Sequence, residues 1–142
     1  MSKGTVLIVV GVLVLVAGAL LVAASWAKRK TESVLCGNQM ASIGCAARLW
    51  AQDHDGLFPS DLLSMSNEVI TPELFVCPGD HARQPAARWA VFTPADSSYE
   101  IVAPGVKDGD TNGGFLRCKI HGHLGYADGT VFDGVRRRTQ IP

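Results

Sequence analysis

The feature that most constrains this chain is an uninterrupted apolar segment close to its start. Residues 5–25 include no charged side chain. At the rise of an α-helix such a segment spans about 30 Å, the thickness of a bilayer core. A secretory signal cleaved near Ala23-Ala24-Ser25 is the alternative, but the apolar region of such a signal is ordinarily shorter. The sequence therefore predicts a transmembrane helix over residues 5–25.

The charges of the 142-residue chain separate at the end of this segment. Of 13 basic and 13 acidic residues, residues 1–30 hold four basic and no acidic ones, which leaves the remainder with a net charge of −4. A mildly acidic folded part argues against nucleic-acid binding. Three basic residues follow the apolar segment: Lys28, Arg29 and Lys30. Taken alone, the positive-inside rule then favours a cytoplasmic location for the part of the chain after the membrane segment. The cysteine content favours an extracytoplasmic one, which is the orientation we predict.

An apolar helical stripe continues beyond the membrane segment. The residues that repeat every three or four positions are Cys36, Met40, Ile43, Ala47 and Trp50. This is the period of one helix face. Gly56 follows as a suitable helix cap. We therefore predict one helix from about residue 5 to about residue 54, amphipathic over residues 26–55, with Cys36 as a buried apolar side chain.

The remainder of the chain has the pattern of short strands. The predicted strands cover residues 98–103, 115–119, 123–127 and 130–135. Asp128-Gly129 between the last two is a strong hairpin signal. Strands that follow one long helix predict an α+β fold, in which the helix packs on a small antiparallel sheet.

Six short motifs follow one another along nearly the whole chain. They are Cys36-Gly37-Asn38, Ile43-Gly44, Asp53 with Gly56-Leu57-Phe58-Pro59, Cys77-Pro78-Gly79-Asp80, Cys118-Lys119-Ile120-His121-Gly122 and Ala127-Asp128-Gly129-Thr130-Val131. In this order and spacing, after a short basic start and an apolar helix, the chain resembles type IV pilins and type II secretion pseudopilins. The resemblance is closest to the pilin-like proteins of planctomycete and verrucomicrobial bacteria.

The resemblance implies a structural role without enzymatic activity. It implies a single-pass inner-membrane protein whose head, residues 56–142, is periplasmic or extracellular. Residues 1–4 would be a leader, cleaved between Gly4 and Thr5, and the N-terminal helix would pack with other pilin-like subunits in a type IV pilus or a type II secretion pseudopilus. Such subunits usually have Glu at the fifth mature position, where this chain has Val9. Two interpretations follow: a special place in a filament, or a subunit that keeps the fold only as a membrane anchor.

The four cysteines allow three complete pairings. Cys36 and Cys45 are separated by about 13 Å along one helix, too far for a disulfide. Cys77 and Cys118 lie in the loop and strand region and are the predicted pair if the head is extracytoplasmic. Cys45 lies off the stripe, as a free thiol or an intermolecular contact.

A zinc site is the alternative to the disulfide in the same region. The protein would then be a membrane-anchored binding module that does not polymerise. Cys77, Cys118 and His121 supply soft ligands, and the Cys118-x-x-His121 spacing is typical of zinc ligands. Asp80, His81 and His123 lie near them in the sequence. His123 has a second interpretation, as a solvent-facing strand residue.

A calcium site is the other cofactor candidate. Asp108, Asp110 and Asn112 place oxygen ligands at alternate positions, as in the first half of a calcium loop. The closing acid is absent, because the twelfth position holds Lys119. The resemblance supports the candidate, since some pseudopilins bind calcium in a late loop of the head. A solvated turn is the alternative.

Overall fold

The structure, a computed structural model, describes residues 2–134 and 137–138. Two compact units divide the chain, Met1–Glu32 and Ser33–Pro142. Met1 of the predicted leader and Val135 of the last predicted strand lie outside the described residues.

One long helix dominates the described part of the chain. Helix α1 covers Lys3–Gln52, close to the predicted bounds. Residues 2–31 are all exposed. Among the described residues, α1 is the one helix long and apolar enough to cross a membrane. The prediction of a candidate membrane span is therefore confirmed at the level of length and composition.

The second part of α1 buries the predicted stripe. Its buried residues are Cys36, Met40, Ala41, Ile43, Ala46, Ala47 and Ala51. Trp50 is half-buried and stacks on His54, with ring centroids 3.5 Å apart. The helix ends where predicted, because Gly56 adopts a φ of 72° and its N–H donates to the Ala51 carbonyl at 2.9 Å.

The sheet is an antiparallel meander. Its strands, in chain order and in spatial order, are β1 (Tyr99–Ile101), β2 (Gly114–Cys118), β3 (Leu124–Tyr126), β4 (Val131–Phe132) and β5 (Arg137–Arg138). β1, β3 and β4 lie within the predicted segments, and β2 begins one residue before its predicted segment, at Gly114. The turn at Asp128-Gly129 joins β3 to β4, with Gly129 at a φ of 85°. The α+β prediction is confirmed: α1 and a small antiparallel sheet form the architecture.

The core of the second unit joins the helix to the sheet and to the loops. Phe75 is fully buried and contacts Trp89 and Phe92, with ring centroids 5.5 and 5.6 Å away. Met40 of α1 lies against Gly125 of β3. Short 3₁₀-helices occur at Leu63–Met65, Pro72–Phe75, Trp89–Val91 and Pro94–Asp96. The chain between α1 and β1 thus packs on the core without regular secondary structure longer than one turn.

Two glycine substitutions should have opposite effects on the free energy of unfolding of this unit. Gly44→Ala should raise it by up to about 1 kcal/mol, because alanine is the better helix former and the added methyl has open space. Gly129→Ala should lower it by about 1 kcal/mol or more, because its φ of 85° strains any side chain. Urea unfolding of the two variants checks both signs. Equal shifts in the same direction would contradict the assigned conformations.

Candidate metal centre

Three cysteines and one histidine converge between α1 and the sheet. Cys36 lies on α1, Cys77 follows the 3₁₀-helix Pro72–Phe75, Cys118 ends β2, and His121 lies in the turn before β3. Their sulfur and imidazole nitrogen atoms all lie within 4.8 Å of one another. The three cysteines are buried and His121 is half-buried. We call these four residues the cysteine–histidine cluster.

The turn after β2 folds His121 back onto the two nearest cysteines. The His121 Nδ1 atom is 3.2 Å from Cys77 Sγ and 4.0 Å from Cys118 Sγ. The His121 backbone N–H donates to Cys118 Sγ at 3.4 Å. Gly122 makes the reversal possible, because it adopts a φ of 69°. One tight turn therefore presents two of the four donor atoms.

The sheet register connects the cluster to the helix. Tyr99 of β1 pairs with Cys118 of β2, and Tyr99 is fully buried. Its hydroxyl donates to Cys36 Sγ at 3.7 Å and to Gln39 Oε1 at 3.1 Å. Burial and the nearby cysteines raise the pKa of Tyr99, so that the hydroxyl keeps its proton and remains a donor.

A polar network fixes the backbone at Cys77. The Cys77 N–H donates to Ser98 Oγ at 3.0 Å, and the Ser98 hydroxyl donates to Asp80 Oδ2 at 2.8 Å. Arg83 Nε donates to the same carboxylate oxygen at 3.0 Å. Burial opposes ionisation of Asp80, but the hydrogen bonds from Arg83 and Ser98 hold its pKa below the usual value. Asp80 thus acts as a charged anchor beside the cluster.

The thiols of the cluster differ in their affinity for protons. Hydrogen bonds from Cys36 and Cys77, followed by backbone N–H groups, lower the pKa of Cys118. The hydrogen bond with Cys118 is the largest cause that raises the pKa of Cys77 to about 11, and the same partner raises the pKa of Cys36. Hydrogen bonds thus link the three thiols, and the backbone N–H groups of Ile120 and His121 favour negative charge on Cys118.

The structure brings together all three residues of the predicted zinc alternative and adds a fourth. Cys36 was assigned to the apolar stripe, and its burial confirms that assignment, but its sulfur also completes the cluster. A cysteine on a stripe that is otherwise alanine, methionine and isoleucine was the available signal. The solvent-facing interpretation of His123 is wrong. His123 is buried, its ring stacks on His121, and its Nε2 is 3.2 Å from Ser33 Oγ.

The predicted disulfide involves two members of the cluster. All four cysteines are free thiols in the structure, with Cys45 exposed and the other three buried. Cys77 and Cys118 are adjacent, so the disulfide between them stays a prediction that competes with metal binding.

The calcium candidate has a different environment. Arg48 Nε donates to Asp108 Oδ1 at 2.8 Å, and Asp110 Oδ1 accepts the backbone N–H of Asn112 at 2.9 Å. A cation at this loop would compete with the Arg48 guanidinium for Asp108. The structure thus gives the loop a role that needs no calcium, and calcium binding stays a prediction.

The leader-cleavage residues Gly4 and Thr5 lie exposed in the first turn of α1. Cleavage between them stays a prediction.

Comparison of the chain with family models, with curated proteins and with solved structures finds no match. The functional assignment therefore depends on the residues and their geometry.

Proposed function

We propose that this chain is a membrane-inserted structural subunit of the pilin or pseudopilin kind, with no turnover chemistry of its own. The observation that carries the proposal is the division of α1. Residues 2–31 are exposed along an apolar helix, whereas the later part contributes seven buried residues to the second unit. An exposed apolar surface of this length is stable in lipid or against other helices.

Other pilin-like subunits are the proposed partners of the apolar part of α1. Gly11 and Gly18 lie seven residues apart, and beyond the adjoining residues and the nearby backbone of α1 itself, no described heavy atom lies within 4 Å of a Cβ built at either position. Small residues allow the backbones of two membrane helices to approach closely. Neighbouring subunits would pack at these positions in a type IV pilus or a type II secretion pseudopilus.

A membrane-anchored binding module that does not polymerise is the second candidate. The cysteine–histidine cluster favours it, together with Val9 at the position where polymerising subunits usually have Glu. Cross-linking separates the two candidates. A subunit that assembles should give ladders of cross-linked species through cysteines introduced at Gly11 or Gly18, whereas a monomeric anchor should give none.

The proposal also assigns the orientation of the protein in the inner membrane. The head would face the periplasm or the exterior, and the leader would be cleaved. Co-expression of the full chain with a prepilin peptidase should yield a protein that begins at Thr5. Intact mass measurement checks this expectation, and retention of residues 1–4 under conditions that process a known prepilin would contradict it.

Cys45 offers a direct measurement of orientation. It is the exposed cysteine of the four, while the other three are buried. A membrane-impermeant maleimide added to cells with a permeable outer membrane should label Cys45, because the proposal places it outside the cytoplasm. Cys45→Ser is the matched control and should remain unlabelled. Labelling of the wild-type chain only after the inner membrane is opened would contradict the orientation.

A further inference from the structure

The cysteine–histidine cluster has the composition and the placement of a structural metal site. We propose that Cys36, Cys77, Cys118 and His121 bind one zinc ion. The ion would link helix α1 to two turns, one after the Pro72–Phe75 helix and one after β2. Zinc binding at this site does not depend on assembly into a filament. Cys36 of the helix joins the three ligands predicted from the sequence, so that the chain supplies all four coordination positions.

The donor set and its spacing fit tetrahedral zinc. Three sulfurs and one imidazole nitrogen are typical zinc ligands. Zinc–sulfur bonds of about 2.3 Å and a zinc–nitrogen bond of about 2.0–2.1 Å, in tetrahedral geometry, require the ligand atoms to lie about 3.5–3.8 Å apart. The four atoms lie within 4.8 Å of one another, and the His121 Nδ1 to Cys77 Sγ distance is already 3.2 Å. A bound ion therefore needs only small movements of the side chains.

Both turns direct backbone N–H groups at the sulfurs. In the turn after β2 the His121 N–H donates to Cys118 Sγ at 3.4 Å. The Gly79 N–H, two residues after Cys77, favours the negatively charged form of Cys77, and the Ile120 N–H favours that of Cys118. Such bonds stabilise negative charge on sulfur, and a sulfur must be a thiolate to bind zinc. The sequence shows one closely spaced ligand pair, Cys118 and His121. In the structure, the turns after Cys77 and after Cys118 both bring backbone N–H groups to a ligand sulfur.

Gly79 leaves the space that the imidazole ligand occupies. A Cβ atom at this position would lie 2.7 Å from His121 Cε1 and 3.0 Å from its Nε2. Any side chain here would push the ring from its place beside Cys77. The Cys77-Pro78-Gly79 sequence thus combines a ligand with the room for a second ligand.

The geometry favours a structural ion over a catalytic one. Catalytic zinc sites have three protein ligands and an open position for water or substrate. Here four protein ligands are available, and the three cysteines are almost fully buried. A disulfide between Cys77 and Cys118 would use two of the four groups and would leave the Cys36 thiol and the His121 imidazole unbonded to it, whereas a zinc ion would bind all four.

The ion would cross-link segments that are distant in sequence. Between α1 and β1, where the structure describes every residue, the helices are one-turn 3₁₀-helices and most backbone hydrogen bonds close local turns. A metal ion that binds only the folded chain adds its binding free energy to the free energy of folding. The zinc ion would hold Cys77 of this irregular segment against both α1 and β2.

The test is the zinc content of the full chain, purified in detergent with a reducing agent and supplied zinc. We expect one zinc ion per chain by elemental analysis and native mass spectrometry. His121→Ala should lower the affinity for zinc about 100-fold or more, because losing even a residue that only hydrogen-bonds to a metal ligand lowers metal affinity about 10–100-fold. His121→Cys should restore zinc binding, and the matched control Cys45→Ser should bind zinc like the wild-type chain.

Three results would overturn the proposal. The first is a folded, metal-free wild-type chain that binds no zinc when zinc is titrated in against a competing chelator. The second is an intact mass lower by two hydrogen atoms with a mapped Cys77–Cys118 bond under these reducing conditions. The third is an equal loss of zinc in Cys45→Ser and His121→Ala. If His121→Ala does not fold, the titration of the wild-type chain still decides the question.

Discussion

Removal of the metal with a strong chelator is expected to lower the melting temperature of the Ser33–Pro142 unit by more than about 10 °C. A ligand present at a thousandfold excess over its dissociation constant stabilises the folded state by about 4 kcal/mol. For a unit of this size each kcal/mol shifts the melting temperature by several degrees, about 4 °C or more. Thermal melts of the detergent-solubilised chain, followed by near-ultraviolet circular dichroism, provide the measurement.

Zinc added back in slight excess should restore the original melting temperature. Cys45→Ser should show the same loss and recovery, because Cys45 lies outside the cluster. Cys118→Ser should melt at the lower temperature whether or not zinc is present. Identical melting temperatures for the zinc-loaded and chelated wild-type chains would show that no metal stabilises this unit.

Two charges placed in the apolar segment should prevent membrane insertion. Val12 and Val16 are exposed on α1, one helical turn apart. Arginine at the centre of a spanning helix costs about 2.5–3.5 kcal/mol per residue, so Val12→Arg with Val16→Arg should cost about 5–7 kcal/mol. We expect the double variant to leave the carbonate-resistant membrane fraction almost completely.

The matched control replaces the same two residues by isoleucine. Val12→Ile with Val16→Ile keeps the segment apolar and should leave the chain in the membrane fraction. A double-arginine variant that stays in that fraction as the control does would contradict the assignment of residues 5–25 as the membrane anchor. Such a result would instead indicate that the Ser33–Pro142 unit attaches to the membrane by another surface.

The helix and the hairpin could be predicted because local chemistry determines them. The uncharged segment, the stripe from Cys36 to Trp50 and the glycine cap at Gly56 define α1 through spacing alone. The Asp128-Gly129 pair fixes the β3–β4 turn because glycine tolerates its positive φ. In these places sequence and structure agree within a few residues.

The complete cysteine–histidine cluster could not be predicted, since it depends on contacts between distant segments. Periodicity gave Cys36 a buried position but could not distinguish a packing residue from a ligand. The pairing of Tyr99 with Cys118 follows from the register of the sheet, and the Tyr99 hydroxyl in turn contacts Cys36 of α1. The solvent-facing interpretation of His123 is wrong for the same reason, because strand alternation does not show that Ser33 of α1 lies beside its ring.

The most direct test of the account is X-ray absorption at the zinc edge of the purified full chain. We predict a first shell of three sulfur atoms at about 2.3 Å and one nitrogen atom at about 2.0–2.1 Å. His121→Cys should change this shell to four sulfur atoms, while Cys45→Ser should leave it unchanged. A shell of nitrogen and oxygen atoms alone, or one with fewer than three sulfur atoms, would contradict the assignment of Cys36, Cys77, Cys118 and His121 as ligands.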